Sequence, residues 1–216
     1  MKKLLIFLVM FPFMALCQEI NTDSLLLDIT GDLSLNQEPQ SLLPERMMFT
    51  QRMLWGENGL YRKVGIAPRV LTPETREHEL KIRRTMFRIH QAVGLTTAAA
   101  MVAQGFLGSR LYDDNREYNP QVKKWHEGVA TGINIGYATT ALMSFTSPPP
   151  FINRKKFDNI KLHKILSYVH LTGMITTNVL AGQISNNFTL KKYHRAAAYT
   201  TFGAYALAIA SIKFEL

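Results

Sequence analysis

The sequence predicts an all-α protein: an integral membrane up-down four-helix bundle with a short N-terminal extramembrane arm. Three observations predict it. Four apolar blocks, at 86–107, 126–144, 165–184 and 196–212, each approach the ~20 residues a helix needs to cross the hydrocarbon core. The links between them are short, and short links join antiparallel neighbours. The chain opens MKKLLIFLVMFPFMALCQEI, which has the form of an export signal.

In that opening, Lys2 and Lys3 precede an apolar core too short to span comfortably, and Ala15 and Cys17 place small residues for cleavage before Gln18. Lipidation of Cys17 is the weaker alternative, because Leu16 stands where a lipobox wants a small residue. Cys17 is the only cysteine, so cleavage after it removes disulfides, iron–sulfur clusters, thiolate catalysis and cysteine zinc sites from consideration. The net charge of +9 does not point to nucleic acid. Its arginines and lysines gather beside the apolar blocks, as membrane flanks do, so the expected surroundings are membrane lipid.

The expected organisation is a signal peptide over 1–17, an exported arm and juxtamembrane helix stem over 18–83, and the four-helix domain over 84–216. Residues 18–40 are acidic and irregular and read as an extended or disordered arm. SLLPERMMFTQRMLW, residues 41–55, has apolar residues at helical spacing. An interfacial helix and a cap packed on the bundle fit it equally. LTPETREHEL starts the next helix: Thr72 can cap it, Pro73 suits its first position, and Glu74 and Glu77 favour its positive end. No proline follows before Gly105, so the stem should run unbroken into the first apolar block. The fourth block is short and rich in small residues and needs neighbours around it. In the second, Gly128, Gly132 and Gly136 repeat every fourth residue, which suits close packing between helices or protomers, as in a homodimer, or else room for a flat cofactor. A soluble bundle with long buried helices is the rival fold.

The six histidines carry the chemistry. His78 lies in the charged stem; His90, His126, His163, His170 and His194 lie one or two to each apolar block, near its start. In an up-down bundle the end where the first block begins, called X, receives His90, His163 and His170. The other end, Y, receives His126 and His194. An imidazole in a membrane is costly unless paired, hydrated or bound. Two imidazoles facing each other across a bundle can supply both axial positions of a haem iron. Proton relays recruit Asp or Glu, and here only Glu127 is near; a metal centre of three or more ligands is hard to assemble.

The array RIHQAVG, KWHEGVATG, KLHKILSYVHLTG and KKYHRAAAYTTFG resembles the four-helix core of the cytochrome b561 family over about residues 84–213. That resemblance implies two b-type haems (haem b), held by histidines paired between alternate helices, and electron transfer across a membrane. His126 and His194 then form the Y pair. At X, counting back from the block ends puts His170 within about a turn of level with His90 and displaces His163 by about a turn and a half. The expected X pair is therefore His90 with His170, and His163 stands at the membrane surface as an entrance. Haem propionates want cations, which makes Arg84, Arg88 and Lys161 candidates at X, and Lys192 and Arg195 at Y.

An export signal places X outside the cytoplasm, with the arm periplasmic in a bacterial inner membrane. Flank counting runs against this, with eleven basic residues at X and seven at Y. The leader is given the greater weight. The expected function is transmembrane electron transfer, with quinol or another small reductant among the candidate donors and no donor or acceptor identified. The alternative is a non-catalytic anchor subunit without haem; a reductase acting on a small oxidant at His163 is a third reading.

Overall fold

The structure, a computed structural model, describes residues 41–113, 117–151 and 157–213. The expected leader, the acidic segment 18–40 and the basic residues 154–156 lie outside the described residues. Leu42–Leu216 forms one compact unit and Met1–Ser41 a second, and every helix named below belongs to the first. The described residues contain helices and no strand: α1 (Phe49–Trp55), α2 (Leu60–Lys63), α3 (Pro73–Tyr112), α4 (Pro120–Thr146), α5 (Asn159–Gln183) and α6 (Leu190–Lys213).

Each long helix begins where its sequence can satisfy the free N–H groups. At α3 the Thr72 hydroxyl accepts from the Thr75 N–H, the Thr75 hydroxyl accepts from the Thr72 N–H, and Pro73 occupies the first turn. Asn119 caps α4 by accepting from the N–H groups of Gln121 and Val122, and Asp158 caps α5 through Lys161 N–H at 2.8 Å. The stem and first apolar block are indeed one helix of 40 residues, about 60 Å long. Ser147 and the prolines after it end α4, since proline supplies no N–H.

α3 and α4 pack as one antiparallel hairpin and α5 and α6 as another, and the hairpins meet backbone to backbone along α3 and α6. α4 and α5 bring no Cα pair within 8 Å among the described residues. Long side chains join them instead: the Asn134 and Asn178 amides exchange hydrogen bonds at 2.9 and 3.0 Å, and Tyr137 reaches His170. Glycine sets the closest approaches. Gly136 lies against Thr97 and Val93 of α3, and Gly173 against Thr201 of α6. The other two members of the expected glycine stripe, Gly128 and Gly132, face open space.

The bundle interior mixes polar and apolar groups: Thr97, Thr140, His170, Thr201 and Ser211 are buried beside Ile133, Tyr137, Met174, Ala204, Tyr205 and Ala208, while Ile135, Leu142, Ile175, Val179 and Leu207 are exposed. By length and composition α3 alone among the described residues is apolar enough to cross a membrane. The other three dilute their apolar residues with glycine, threonine, asparagine and histidine, much of it turned inward.

Residues 42–72 fold as a cap on the X end of the helices, which decides between the two readings of the 41–55 segment. Trp55 is 4% exposed, its indole N–H donates to the Thr146 carbonyl at 2.7 Å, and Tyr61 meets it edge-on. Beneath lies a buried charge cluster. Glu79 pairs with Arg62 at 2.6 Å and with Arg76 at 2.8 Å, all three nearly sealed from solvent. Arg62 also donates to the carbonyls of Trp55, Gly56 and Pro68. Arg76 donates to those of Pro149 and Pro150, and Arg83 to that of Pro148 at 2.6 Å. Burial, with the Arg76 charge adding to it, pushes the Arg83 guanidinium down to about 10, so it stays charged at neutral pH. Cap, stem and the Ser147–Pro150 turn are thus tied by cations whose bonds all end on protein.

Candidate functional site

Four elements of the sequence converge inside the bundle, one per helix, because the histidines fall on the inward faces. His90 Nδ1 lies 3.0 Å from the Thr140 carbonyl of α4, with Ser144 Oγ at 3.3 Å. His163 Nδ1 lies 2.8 Å from the Ala208 carbonyl of α6. His194 Nδ1 lies 3.0 Å from the Thr177 carbonyl of α5. A carbonyl can only accept, so in all three the proton sits on Nδ1 and Nε2 keeps its lone pair. In each case the carbonyl belongs to the other helix of the same hairpin. No partner meets these three Nε2 atoms among the described residues.

His170 is held differently. It is 8% exposed, its Nδ1 is 2.5 Å from the Tyr137 hydroxyl, and the rings of Tyr205 and Tyr137 stand 5.0 and 5.5 Å away at steep angles. Tyr205 is itself fixed, donating to the Gly94 carbonyl at 3.1 Å. This aromatic group occupies the middle of the bundle. On α5, residues 163, 170 and 177 follow at intervals of seven, or about 10 Å, so His170 lies midway between His163 and the carbonyl that anchors His194.

His126 differs again. Its Nε2 faces the Gln104 amide nitrogen at 3.2 Å, and its Nδ1 is buried with no partner. The ring leans on Gly108, where a Cβ would lie 3.2 Å from Cε1. His126 and His194 are within electrostatic range of each other, as His170 is of His163 and His90. The topology therefore gathers the histidines as the sequence groups them, three at X and two at Y. His78 is exposed on the stem.

His90 is anchored at Thr140 and His170 meets α4 at Tyr137, three residues or about one turn deeper, which is the offset that counting from the block ends gives. His163, four residues into α5, is half-buried and bonded to α6.

Of the cations, Arg84 and Lys161 are half-buried at X and Arg88 is exposed there. At Y, Lys192 lies over the ring of its neighbour Tyr193 at 5.0 Å, and Arg195 turns outward over Tyr112 at 4.2 Å. Sequence reasoning missed Gln104, Tyr137, Tyr205 and the Arg62–Glu79–Arg76 cluster. No spacing rule marks Gln104, Tyr137, Tyr205 or the Arg62–Glu79 pair, which act across a distance in the chain; Arg76 and Glu79, three apart on one helix, carry a spacing that could have found them.

Three imidazoles have a fixed tautomer with Nε2 unengaged, which fits axial ligation of a haem; His126 differs, its Nε2 held by Gln104 and only its buried Nδ1 without a partner. No group of three or more His, Cys, Asp and Glu able to hold a bare metal ion occurs among the described residues. Comparison with family models, with curated proteins and with solved structures finds no match.

Proposed function

We propose that the chain is a transmembrane electron carrier holding two b-type haems, one at each end of the α3–α6 bundle. The observation that carries this is the shared posture of His90, His163 and His194: Nδ1–H given to a carbonyl of the partner helix, Nε2 unengaged. Such an outer bond fixes ring orientation and makes Nε2 a better ligand. His126 and His194 would hold the Y haem. At X, His90 has a choice of partner, and His163 shares its posture and its proximity to the bundle end. His170 shares Nδ1 with a phenol, which unlike a carbonyl can also donate; if it donates, the imidazole proton lies on Nε2 and the lone pair there is lost. We assign His163 as the partner of His90, in place of the His170 expected from counting.

The haem, when bound, supplies reversible one-electron chemistry, and its potential follows ligand type and burial. The chain holds and orients it and keeps water from it. Arg84, Arg88 and Lys161 would meet propionates at X, and Lys192 at Y. The apolar side chains exposed along the bundle, Ile135, Leu142, Ile175, Val179 and Leu207 among them, support a bilayer as its surroundings, a bacterial inner membrane if the leader acts as an export signal. A second reading, a haem-free anchor subunit, draws on the cap, where Phe49, Ile66 and Val70 are 80, 67 and 70% exposed and offer a docking face.

The test is a reduced-minus-oxidised visible spectrum of detergent-purified protein, with haem quantified per polypeptide. Two b-type haems are expected, falling to one in His126→Ala and in His194→Ala. A well-folded sample made with ample haem that contains none leaves the anchor reading.

A further inference from the structure

At the Y end, α3, α4 and α6 line an open cavity of about 750 Å³. Its walls have two characters. Phe106, Leu107 and Val122 make an apolar side, with Phe106 71% exposed. Arg110, Arg195 and Tyr112 make a polar end. There the Arg195 guanidinium lies 4.2 Å and the Lys191 ammonium 5.0 Å from the centroid of the same Tyr112 ring. Two cations on one ring repel each other, and the ring face returns only about 0.5–1 kcal/mol to each at an exposed site. No carboxylate lies within 4 Å of Arg110, Lys191 or Arg195 among the described residues. Asp113 lines the same cavity, so one carboxylate shares the site with these cations.

We propose that this cavity takes the headgroup of an anionic phospholipid, its phosphate between Arg110 and Arg195 and its acyl chains along Phe106, Leu107 and Val122. Guanidinium forks match phosphate oxygens two at a time, and Lys191 adds charge without needing a fixed geometry. Tyrosine is favoured at this depth, where one side is apolar and the other wet. A small phosphate would satisfy the cations and leave the apolar wall in water, so the chemistry favours the amphiphile. Arg195 is accordingly drawn away from a haem propionate. This inference rests on the membrane placement in the proposed function and not on the haems.

The experiment begins with liposome flotation, which tests the membrane placement itself. Protein that does not float overturns both readings. For protein that floats, the thermal midpoint in neutral detergent is followed while phosphatidylglycerol, phosphatidylcholine or glycerol 3-phosphate is added. Phosphatidylglycerol should raise it at concentrations where the other two do not. Arg110→Gln and Arg195→Gln should each weaken that response about tenfold or more, the loss of one charge-assisted hydrogen-bonding group, and Phe106→Ser should weaken it as well. An unchanged phosphatidylglycerol response in the Arg110→Gln/Arg195→Gln double variant overturns the site. Equal stabilisation by glycerol 3-phosphate overturns the lipid as occupant.

Discussion

Replacing His163 and His170 separately by alanine should produce opposite effects on haem and on stability. His163→Ala removes one hydrogen bond, to an Ala208 carbonyl that also accepts from Ser211 Oγ at 2.8 Å. Little is left unsatisfied, so the folding cost should be about 1 kcal/mol. His170→Ala removes a side chain that is 8% exposed, strips the Tyr137 hydroxyl of its partner, and leaves a void between two tyrosine rings. Cavity and orphaned hydroxyl together should cost about 3–5 kcal/mol. Haem content should move the other way: one haem per chain in His163→Ala and two in folded His170→Ala. Thermal unfolding in detergent reads the first quantity and the pyridine haemochrome assay reads the second. Loss of a haem in His170→Ala, with both retained in His163→Ala, would refute the assignment and restore His170 as the ligand. His170→Phe, which keeps an aromatic ring in the gap, guards against loss of haem through unfolding alone.

Two further outcomes test the packing. Glu79→Gln leaves Arg62 and Arg76 buried without their shared counter-charge and should cost about 3–5 kcal/mol, read as early melting and faster proteolysis within residues 42–72. Gly173→Ala would drive a Cβ into the Thr201 hydroxyl and to 3.4 Å from its Cα, costing about 1–3 kcal/mol. Gly132→Ala, with open space around it, should be neutral or gain up to about 1 kcal/mol of helix propensity, and the pair compared in one thermal melt gives the sign.

What the sequence made legible was whatever its own local chemistry decides. Thr72 followed by Pro73 marks a helix start because the free N–H groups there need an oxygen within three residues. The grouping of five histidines into three and two follows from block order and short links. What stayed hidden depends on contacts between distant residues. Trp55 meets a carbonyl 91 residues away, and the spacing that fits a cap fits an interfacial helix equally. Counting from block ends ranks His163 and His170 by level and cannot see their partners, since the Ala208 carbonyl beside His163 and the Tyr137 hydroxyl beside His170 lie 45 and 33 residues away. α5 begins at Asn159, two residues before the charged start of the quoted histidine array. Gln104 and Tyr137 are single polar residues in apolar runs, and nothing in the runs tells which of several such residues will face an imidazole.

The charge imbalance that set the flanks against the leader looks different once the bonds are known. Arg76 and Arg83 were counted as free cations at the X end. Both are bound instead to Glu79 or to the turn Ser147–Pro150. A cation whose donors end on buried protein groups is held by the fold and offers little to a lipid surface, so the excess at X narrows. At Y the opposite holds. Lys191, Lys192 and Arg195 stand over aromatic rings and find no carboxylate within 4 Å among the described residues, which leaves them available to an anionic membrane face. Setting Arg76 and Arg83 aside still leaves nine basic residues at X against seven at Y, so the flanks continue to run against the export signal, by a smaller margin.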